Sequence, residues 1–582
     1  MFPSSGTIEQ LSYAAGYSLN FGLQDSNPLF FLLVPAPRPN CEPKFDVFRD
    51  SDPILLGSPS PLRREAWRRL LSSYPGNLPL LLDGILIFGA RLGYEGPEQF
   101  ILSRNLPIEL PDHDVLDKKA ATDLAAGLIA PITPKHPCMV SPLGVVPKGD
   151  GGRRRIHHLS YPEGESVNDL IPAEYASITY VTFDTIVADV LQAGRGCTII
   201  KRDIRDAFRM VPVATNDQWL LGFGWKGVFY TERALPFGLC TTPFLFNLFA
   251  EGLHWILLSR GWRRLHHYLD DFISIFSSAE VAAGHAVWAT NDWIQVTNDL
   301  GVPRKDSKDE FGTTVPVFGI EVDTLAMEAR LPREKMDKLR HMVSKPLQSG
   351  WTSQKEIENL AGLMSFCSRV VRLGRTFSQS SYDFIADAAR NRRSGTVRVP
   401  ARLLADMSWW HDLLHEFNGI RLIDDATRPT ANLYTDACDD GLGGFVLKSA
   451  GSDMPSPDLA FSCRPNPRLR AKHINVKETA AAAHALKRWG PALRGHALCI
   501  YTDSSTVHAG IRRGSLHGPP MAQLRRLLLE AARFDIVLHC EWIPGRENRL
   551  ADALSRADEV YIADHYPNLL QILPSARRQR SS

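Results

Sequence analysis

Hydrophobic and polar positions divide the chain into stretches of different texture. From Asp112 to Ile129 the spacing in DHDVLDKKAATDLAAGLI predicts a helix, and the following SPLGVVPKGDGGRRRIHHLSYP reads as strand, Gly-Asp-Gly-Gly turn and strand. Between Gly196 and Thr324 short apolar runs (GCTIIKRD, WLLGFGW, GVFYTERAL, DDFISIFS, VPVFGIEVD) surround one longer helical pattern, PFLFNLFAEGLHWILLS, which predicts an α+β domain with a small sheet. Residues 328–427 are helical in pattern (KEIENLAGLMSFCSRVVRLG, LLADMSWWHDLLHEF) and carry few candidate catalytic groups. After Pro429, ANLYTDA, HINVKETAAAAHALKRW, LCIYTDS, MAQLRRLLLEAARF, DIVLHCEWIPG and NRLADALSRADEV alternate strand with helix, the pattern of a compact α/β domain. Up to residue 95 the sequence is Pro-rich and only partly patterned. Its clearest element is a helix opened by Ser60 and Pro61, with Leu62, Trp67, Leu70 and Leu71 among arginines.

A length of 582 residues, against roughly 150 per domain, predicts two to four domains. At 44% apolar and 22% charged residues the composition is that of an ordinary folded chain, without collagen-like or disordered bias. Lys and Arg number 66 against 64 Asp and Glu, a net charge of +2, so any polyanion partner has to be argued from local clusters. The nine cysteines lie far apart and form no C-x-x-C pair, which reads as reduced thiols in an intracellular protein without structural zinc; nucleus and cytoplasm are not distinguished. The most apolar stretch, Leu78 to Ala90, is about 13 residues long and interrupted by Asp83, too short to cross a bilayer, so no membrane partner is expected. The closing ARRQRSS reads as a basic, frayed tail, with a nuclear-localisation signal as the other reading.

Candidate chemistry concentrates in two sets of carboxylates. Tyr268-Leu269-Asp270-Asp271 lies between apolar runs, where a hairpin turn lets neighbouring side chains face one site. Two adjacent carboxylates repel unless a cation stands between them, and Asp203, at the end of GCTIIKRD, would complete an oxygen-rich site for Mg²⁺. The bland alternative is a solvated acidic turn. In the second set Asp436, Glu478, Asp503 and Asp552 fall on a strand end, a helix, a second strand end and a last helix; each alone reads as a surface acid, but four convergent carboxylates could hold two Mg²⁺.

The succession of VPK ending at Lys148, Asp203-Ile-Arg-Asp-Ala-Phe208, Leu235-Pro-Phe-Gly-Leu239 with Thr242-Pro243, YLDD and VFGIEVD resembles the ordered motifs of reverse transcriptases. The second set, with Gly443-Gly444 after its first member and Pro544-Gly545 and Asn548 before its last, resembles a ribonuclease H domain. The resemblance spans roughly residues 105–560 and looks like the polymerase and ribonuclease H portion of a retroelement polyprotein. Its implied architecture is α+β and α/β multidomain, a right-hand polymerase with fingers, palm and thumb followed by a ribonuclease H-like domain. The implied domains are an N-terminal region of unknown role (1–95), fingers and palm (96–327), helical thumb and connection (328–427), ribonuclease H (428–560) and a basic tail (561–582).

By the same resemblance, Asp203, Asp270 and Asp271 bind metal in the palm, and Asp436, Glu478, Asp503 and Asp552 bind it in the nuclease, with two Mg²⁺ (or Mn²⁺) per site. The substrates implied are an RNA template, a DNA primer, deoxynucleoside triphosphates and an RNA/DNA hybrid. Phe208 matches the steric gate against a ribose 2′-hydroxyl, with a core aromatic as its alternative. Lys148 and Arg154 or Arg155 match the cations that grip the triphosphate, with a solvated basic hairpin as theirs. Phe237 and Gly238 match the lining of the nucleotide pocket, and Lys308 falls where the family often has a proton donor to pyrophosphate, although a surface charge fits it as well. The clusters Arg153-Arg154-Arg155 and Arg263-Arg264 with His266-His267 would line a nucleic-acid cleft or form ordinary solvated faces.

VPKGDGGRRRIHHLSYP, HINVKE and IPGRENRLADALSR look most like DIRS-type elements, which are mobilised by tyrosine recombinases. Arg202 before Asp203 and His157-His158 depart from the commoner pattern, and IPGRENRLAD lacks the catalytic-loop His of retroviral nuclease domains. No protease motif or Cys/His knuckle is evident and about 26 residues follow the last nuclease motif, so a recombinase or integrase is expected on another chain. Two other readings remain at this level: a catalytically degenerate or host-adopted nucleic-acid binder, and a pararetrovirus-like polymerase with the same chemistry.

Overall fold

The computed structural model describes residues 42–49, 60–147, 152–391, 395–422, 430–448 and 454–574, with the backbone alone of 17–18 and 34–35. The chain divides into two compact units, Met1–Val315 and Pro316–Ser582. Among the described residues no helix is long and apolar enough to cross a membrane. The basic tail expected after residue 575 lies outside the described residues.

In the first unit the site-bearing elements are β1 (Leu143–Pro147), β2 (Arg153–His157), β3 (Thr198–Asp203), β4 (Val228–Glu232), helix α1 (Thr242–Ser259), β5 (Leu265–Tyr268), β6 (Asp271–Phe276) and β7 (Glu310–Gly312). β1 and β2 form the expected hairpin, Leu143 opposite His157 and Pro147 opposite Arg153. β5, β6, β3 and β7 form one antiparallel sheet in that order, and β4 belongs to a five-stranded sheet with Phe100–Leu102, Cys138–Val140, Gly222–Trp225 and Ile129–Ile132. α1 is buried on nearly every face, as its unbroken run of apolar residues demands, and forms the centre of the core. Its few polar positions are satisfied internally: His267 of β5 donates from Nε2 to Asn247 Oδ1 (3.2 Å) and accepts from His254 Nδ1 (3.0 Å).

The described part of the segment before residue 95, read from the sequence as a region of unknown role, contributes to this same core. The expected helix starts at Arg64, not at Ser60, because the Ser60 hydroxyl is drawn to the Met210 carbonyl (2.6 Å). Trp67 is buried, edge-on to Phe249 at 5.4 Å, and donates its indole N–H to the Leu300 carbonyl (3.1 Å). The apolar run from Leu78 forms a second helix, Leu78–Phe88, whose Asp83 takes the Arg64 guanidinium at 2.7 Å.

In the second unit helices Arg333–Ser349, Gln354–Cys367, Gln379–Arg390 and Ala401–Asp412 fill the region read as helical. The α/β domain after residue 430 includes β8 (Ala431–Ala437), β9 (Leu442–Lys448), β10 (Ala460–Cys463), α2 (Ile474–Trp489), β11 (Ala497–Thr502), β12 (Val537–Trp542) and α3 (Arg549–Arg556). Its five-stranded sheet runs in the order β10, β9, β8, β11, β12. The first three strands are antiparallel neighbours, whereas β8, β11 and β12 run parallel. The parallel arrangement sets the carboxyl ends of β8 and β11 side by side, which is where ligands sit in open α/β sheets.

Candidate active sites

In the first unit the sheet register builds the site. Asp203 closes β3 directly opposite Asp271, the first residue of β6, while Tyr268 pairs with Asp271 across the β5–β6 hairpin. Leu269 and Asp270 therefore form a two-residue turn, and Leu269 has φ +52°, the left-handed value such tight turns need at a position where glycine would be the easy choice. The Asp270 carbonyl accepts from Ile204 N–H (3.1 Å), tying the turn to the end of β3. Burial, opposed by Lys201 and reinforced by Asp270 and Asp203, pushes the Asp271 carboxyl up to about 6; burial and Asp203 raise Asp270 as well. Lys308 Nζ stands 3.3 Å from Asp203 Oδ1 and Lys201 Nζ 3.8 Å from Asp271 Oδ2.

A cleft of about 580 Å³ opens above these carboxylates, lined by Asp203, Phe208, Phe237, Asp270, Arg154 and Lys308 among others. Phe208 is half-buried, 5.0 Å from the Phe237 ring and 5.7 Å from Phe246, so it belongs to the core and to the cleft wall at once. Phe237 is 38% exposed, and Arg154 lies over it with its guanidinium carbon 5.2 Å from the ring centroid. Arg155, the alternative to Arg154, points inward and pairs with Glu232 (2.7 Å) and Asp123 (3.2 Å). Arg153 pairs with Asp112 (3.2 Å). Gly238 has φ +113°, and a Cβ there would lie 2.0 Å from the His157 carbonyl oxygen; the close approach this glycine permits is to β2. Lys148 lies outside the described residues. Of the second basic cluster, Arg263 is exposed, while Arg264 pairs with Glu280, His266 with Asp189 (2.7 Å), and His267 is buried.

In the second unit Asp436 sits near the end of β8, 8% exposed, and accepts a hydrogen bond from Ser555 Oγ of α3 at 2.7 Å. Burial, with Asp503 and Asp552 nearby, pushes its carboxyl up to about 6 despite Ser555. Glu478 on α2 is raised by burial and by Asp503, against a hydrogen bond from Ser504. Asp503 follows β11, and its carbonyl accepts from the Trp542 indole (2.9 Å). Asp552 on α3 is half-exposed and takes Arg556 Nε at 2.6 Å, while Asn548 at the start of α3 is buried and donates to the Thr435 carbonyl (3.0 Å). Gly443 explains how α3 comes so close: a Cβ there would lie 2.3 Å from Ser555 N and 2.7 Å from the Ala551 carbonyl oxygen.

All seven predicted carboxylates therefore fall into two electrostatically coupled groups, one in each unit. Among the described residues no three His, Cys, Asp or Glu side chains are already gathered to ligating distance. The donor set nevertheless suits a hard divalent cation: every member is a carboxylate, and burial with mutual repulsion raises Asp270, Asp271, Asp436 and Glu478, the mark of negative charge short of a counterion. Lys201, Glu232, Arg209 and Ser555 were not singled out from the sequence. Lys201 could have been, since it shares a strand face with Asp203, two residues on.

Residues 155–322 match the family model for reverse transcriptase (RNA-dependent DNA polymerase), and residues 426–530 match that for the RNase H-like domain found in reverse transcriptase. The chain carries both domains of a reverse transcriptase. Its enzyme class is RNA-directed DNA polymerase with ribonuclease H activity. No curated protein matches it. Solved structures similar to it include the foamy viral protease-reverse transcriptase dRH in complex with double-stranded DNA (15% identity, 82% of this chain and 81% of that one, TM-score 0.45). The foamy viral protease-reverse transcriptase is similar both in complex with double-stranded DNA (15%, 82% and 97%, 0.46) and in complex with an RNA/DNA hybrid (16%, 82% and 62%, 0.43).

Proposed function

We propose that this reverse transcriptase copies a retrotransposon RNA, with a DNA-primed palm site at Asp203, Asp270 and Asp271 and a hybrid-cleaving site at Asp436, Glu478, Asp503 and Asp552. The observation that carries the reading is the register of β3 and β6, which brings Asp203 opposite Asp271 and beside the Asp270 turn at the floor of a cleft walled by Arg154, Phe208 and Phe237. Two Mg²⁺ (or Mn²⁺) ions in each site, held by the carboxylates just named, would supply the Lewis acidity that activates the primer 3′-hydroxyl or a water and stabilises the leaving oxygen. The chain's own groups do the rest. Arg154, exposed over Phe237, is placed to take the triphosphate, and Phe208, in the wall of the same cleft, would crowd a 2′-hydroxyl, favouring deoxynucleotides. Lys308 is placed to give a proton to departing pyrophosphate. In the nuclease, Ser555 and Asn548 fix α3 on β8 so that Asp552 faces Asp436.

DIRS-type membership rests on the sequence motifs. Eight cysteines, all free among the described residues, support an intracellular site. The domain boundaries we favour start the polymerase near residue 45, since Val47 already belongs to its core. The deciding experiment is deoxynucleotide incorporation on an RNA template with a DNA primer in Mg²⁺, alongside Asp270→Asn/Asp271→Asn and Asp436→Asn. The first variant is expected to lose synthesis and keep hybrid cleavage, and the second the reverse. Full synthesis by Asp270→Asn/Asp271→Asn would refute the palm assignment, and a folded wild type that binds hybrid without catalysis would identify a degenerate binder.

A further inference from the structure

At the inner end of the cleft, which Arg155, Arg209 and Glu232 help to line, lies a group of charges that the proposed chemistry does not use. Glu232 of β4 is completely buried, and its two carboxylate oxygens are taken by two arginines from different elements: Arg155 Nη2 of β2 at 2.7 Å and Arg209 Nη1 at 2.8 Å. Arg209 also donates to the Ala234 carbonyl (3.2 Å), and both arginines reach Asp123, itself fully buried, at 3.2 and 3.6 Å. Lys119 Nζ also reaches Asp123 (2.8 Å), so three cations share the two carboxylates. Burial alone would push the Glu232 carboxyl up, but Arg155 and Arg209 outweigh it and hold it below the ordinary glutamate value, so the carboxylate stays charged. Such a buried network gives little net stability over an apolar filling of the same volume, which directs attention to what it fixes in place.

What it fixes is adjacent in sequence to both side chains of the nucleotide wall. Arg155 follows Arg154, and in a strand neighbouring side chains point to opposite faces, so an inward Arg155 sends Arg154 outward over Phe237. Arg209 follows Phe208 within the tight turn Ala207–Met210, which a left-handed Asp206 (φ +50°) introduces, and anchoring Arg209 sets the Phe208 ring against Phe237. Arg154 and Phe208 thus meet the same ring from two elements whose inner arginines share one carboxylate.

We propose that Glu232 is a positioning residue of the nucleotide pocket, setting Arg154 for the triphosphate through Arg155 and Phe208 for the sugar through Arg209. The inference rests on the reading of Arg154 and Phe208 given above. It predicts two separable arms joined at one residue.

The test is steady-state incorporation of a deoxynucleotide and its ribonucleotide counterpart by the full chain on an RNA template with a DNA primer. Glu232→Gln should raise KM for the deoxynucleotide about tenfold and cut the deoxy-over-ribo preference about tenfold, each equal to roughly one charge-assisted contact, with primer-template affinity unchanged. Glu232→Asp should recover part of both. Arg155→Lys should move KM alone and Arg209→Lys the preference alone, and these charge-keeping variants decide the matter if Glu232→Gln melts below the assay temperature. Unchanged KM and preference in the folded variants, or a fall in kcat with neither changed, would overturn the proposal. Arg154→Ala and Phe208→Ala are the controls: if they too leave KM and preference unchanged, the reading of the pocket has failed, and if they move while the Glu232 and arginine variants do not, the proposal alone has failed.

Discussion

Ser555 gives its hydroxyl hydrogen to Asp436 across 2.7 Å, joining the last helix of the nuclease to its central strand. A hydrogen bond to a buried carboxylate contributes about 1.5–3 kcal/mol. Ser555→Ala should therefore lower hybrid cleavage by about an order of magnitude and leave DNA synthesis untouched, measured by cleavage and incorporation on the same preparation.

The helix can lie there only because of Gly443. An added Cβ would press on Ser555 N and the Ala551 carbonyl, both backbone atoms that cannot swing aside. Gly443→Ala should destabilise the second unit by about 3 kcal/mol and abolish cleavage, whereas Gly362→Ala, on the exposed face of helix Gln354–Cys367 where a Cβ meets nothing within 4 Å, should leave cleavage unchanged and add about 0.5–1 kcal/mol of stability. Thermal melts of the two variants make the comparison.

The left-handed backbone at Leu269 holds Asp270 toward Asp203. A β-branched residue tolerates that conformation worst and asparagine best among side chains of this size. Leu269→Ile should lose synthesis at least about tenfold while Leu269→Asn keeps most of it. Equal losses in both would assign the role of Leu269 to its packing instead.

His157 offers a dependence on pH. It is fully buried, donates from Nε2 to the Gly222 carbonyl (3.0 Å), and burial, with Glu232 opposing and Arg155 assisting, lowers its pKa to about 4. The unfolded chain takes up the proton near 6.5 and the folded chain refuses it until about 4, so stability is full above 6.5 and falls as pH drops through that window. The loss should approach about 3 kcal/mol by pH 4. His157→Gln, which can still donate to Gly222, should flatten the decline between pH 6.5 and 5, followed by chemical denaturation.

The seven carboxylates were legible in the sequence because each follows an apolar run or sits at a helical position that fixes where it emerges. The sequence left open whether Arg154 or Arg155 faces the cleft. That depends on Glu232 and Asp123, whose distance along the chain from Arg155 hides the pairing. Gly443 was noticed as part of a motif, yet its purpose, contact with a helix a hundred residues later, exists only in the folded state. The segment around Trp67 showed its helix but not its burial, since arginine-rich flanks imitate a surface element.

That last segment bears on how the enzyme can be dissected. Trp67, Leu71, Leu82 and Ile85 are interior to the polymerase, and Gly301, with φ +73°, lets the chain at Pro61 lie against the end of helix His285–Leu300. A clone begun at residue 96, the domain boundary read from the sequence, would discard one wall of the hydrophobic interior and yield inclusion bodies in place of a minimal polymerase. The described residues before 96, which carry no recognisable signature, are thus part of the scaffold, and any library, truncation series or chimera that treats them as an interchangeable leader will be selecting against folding.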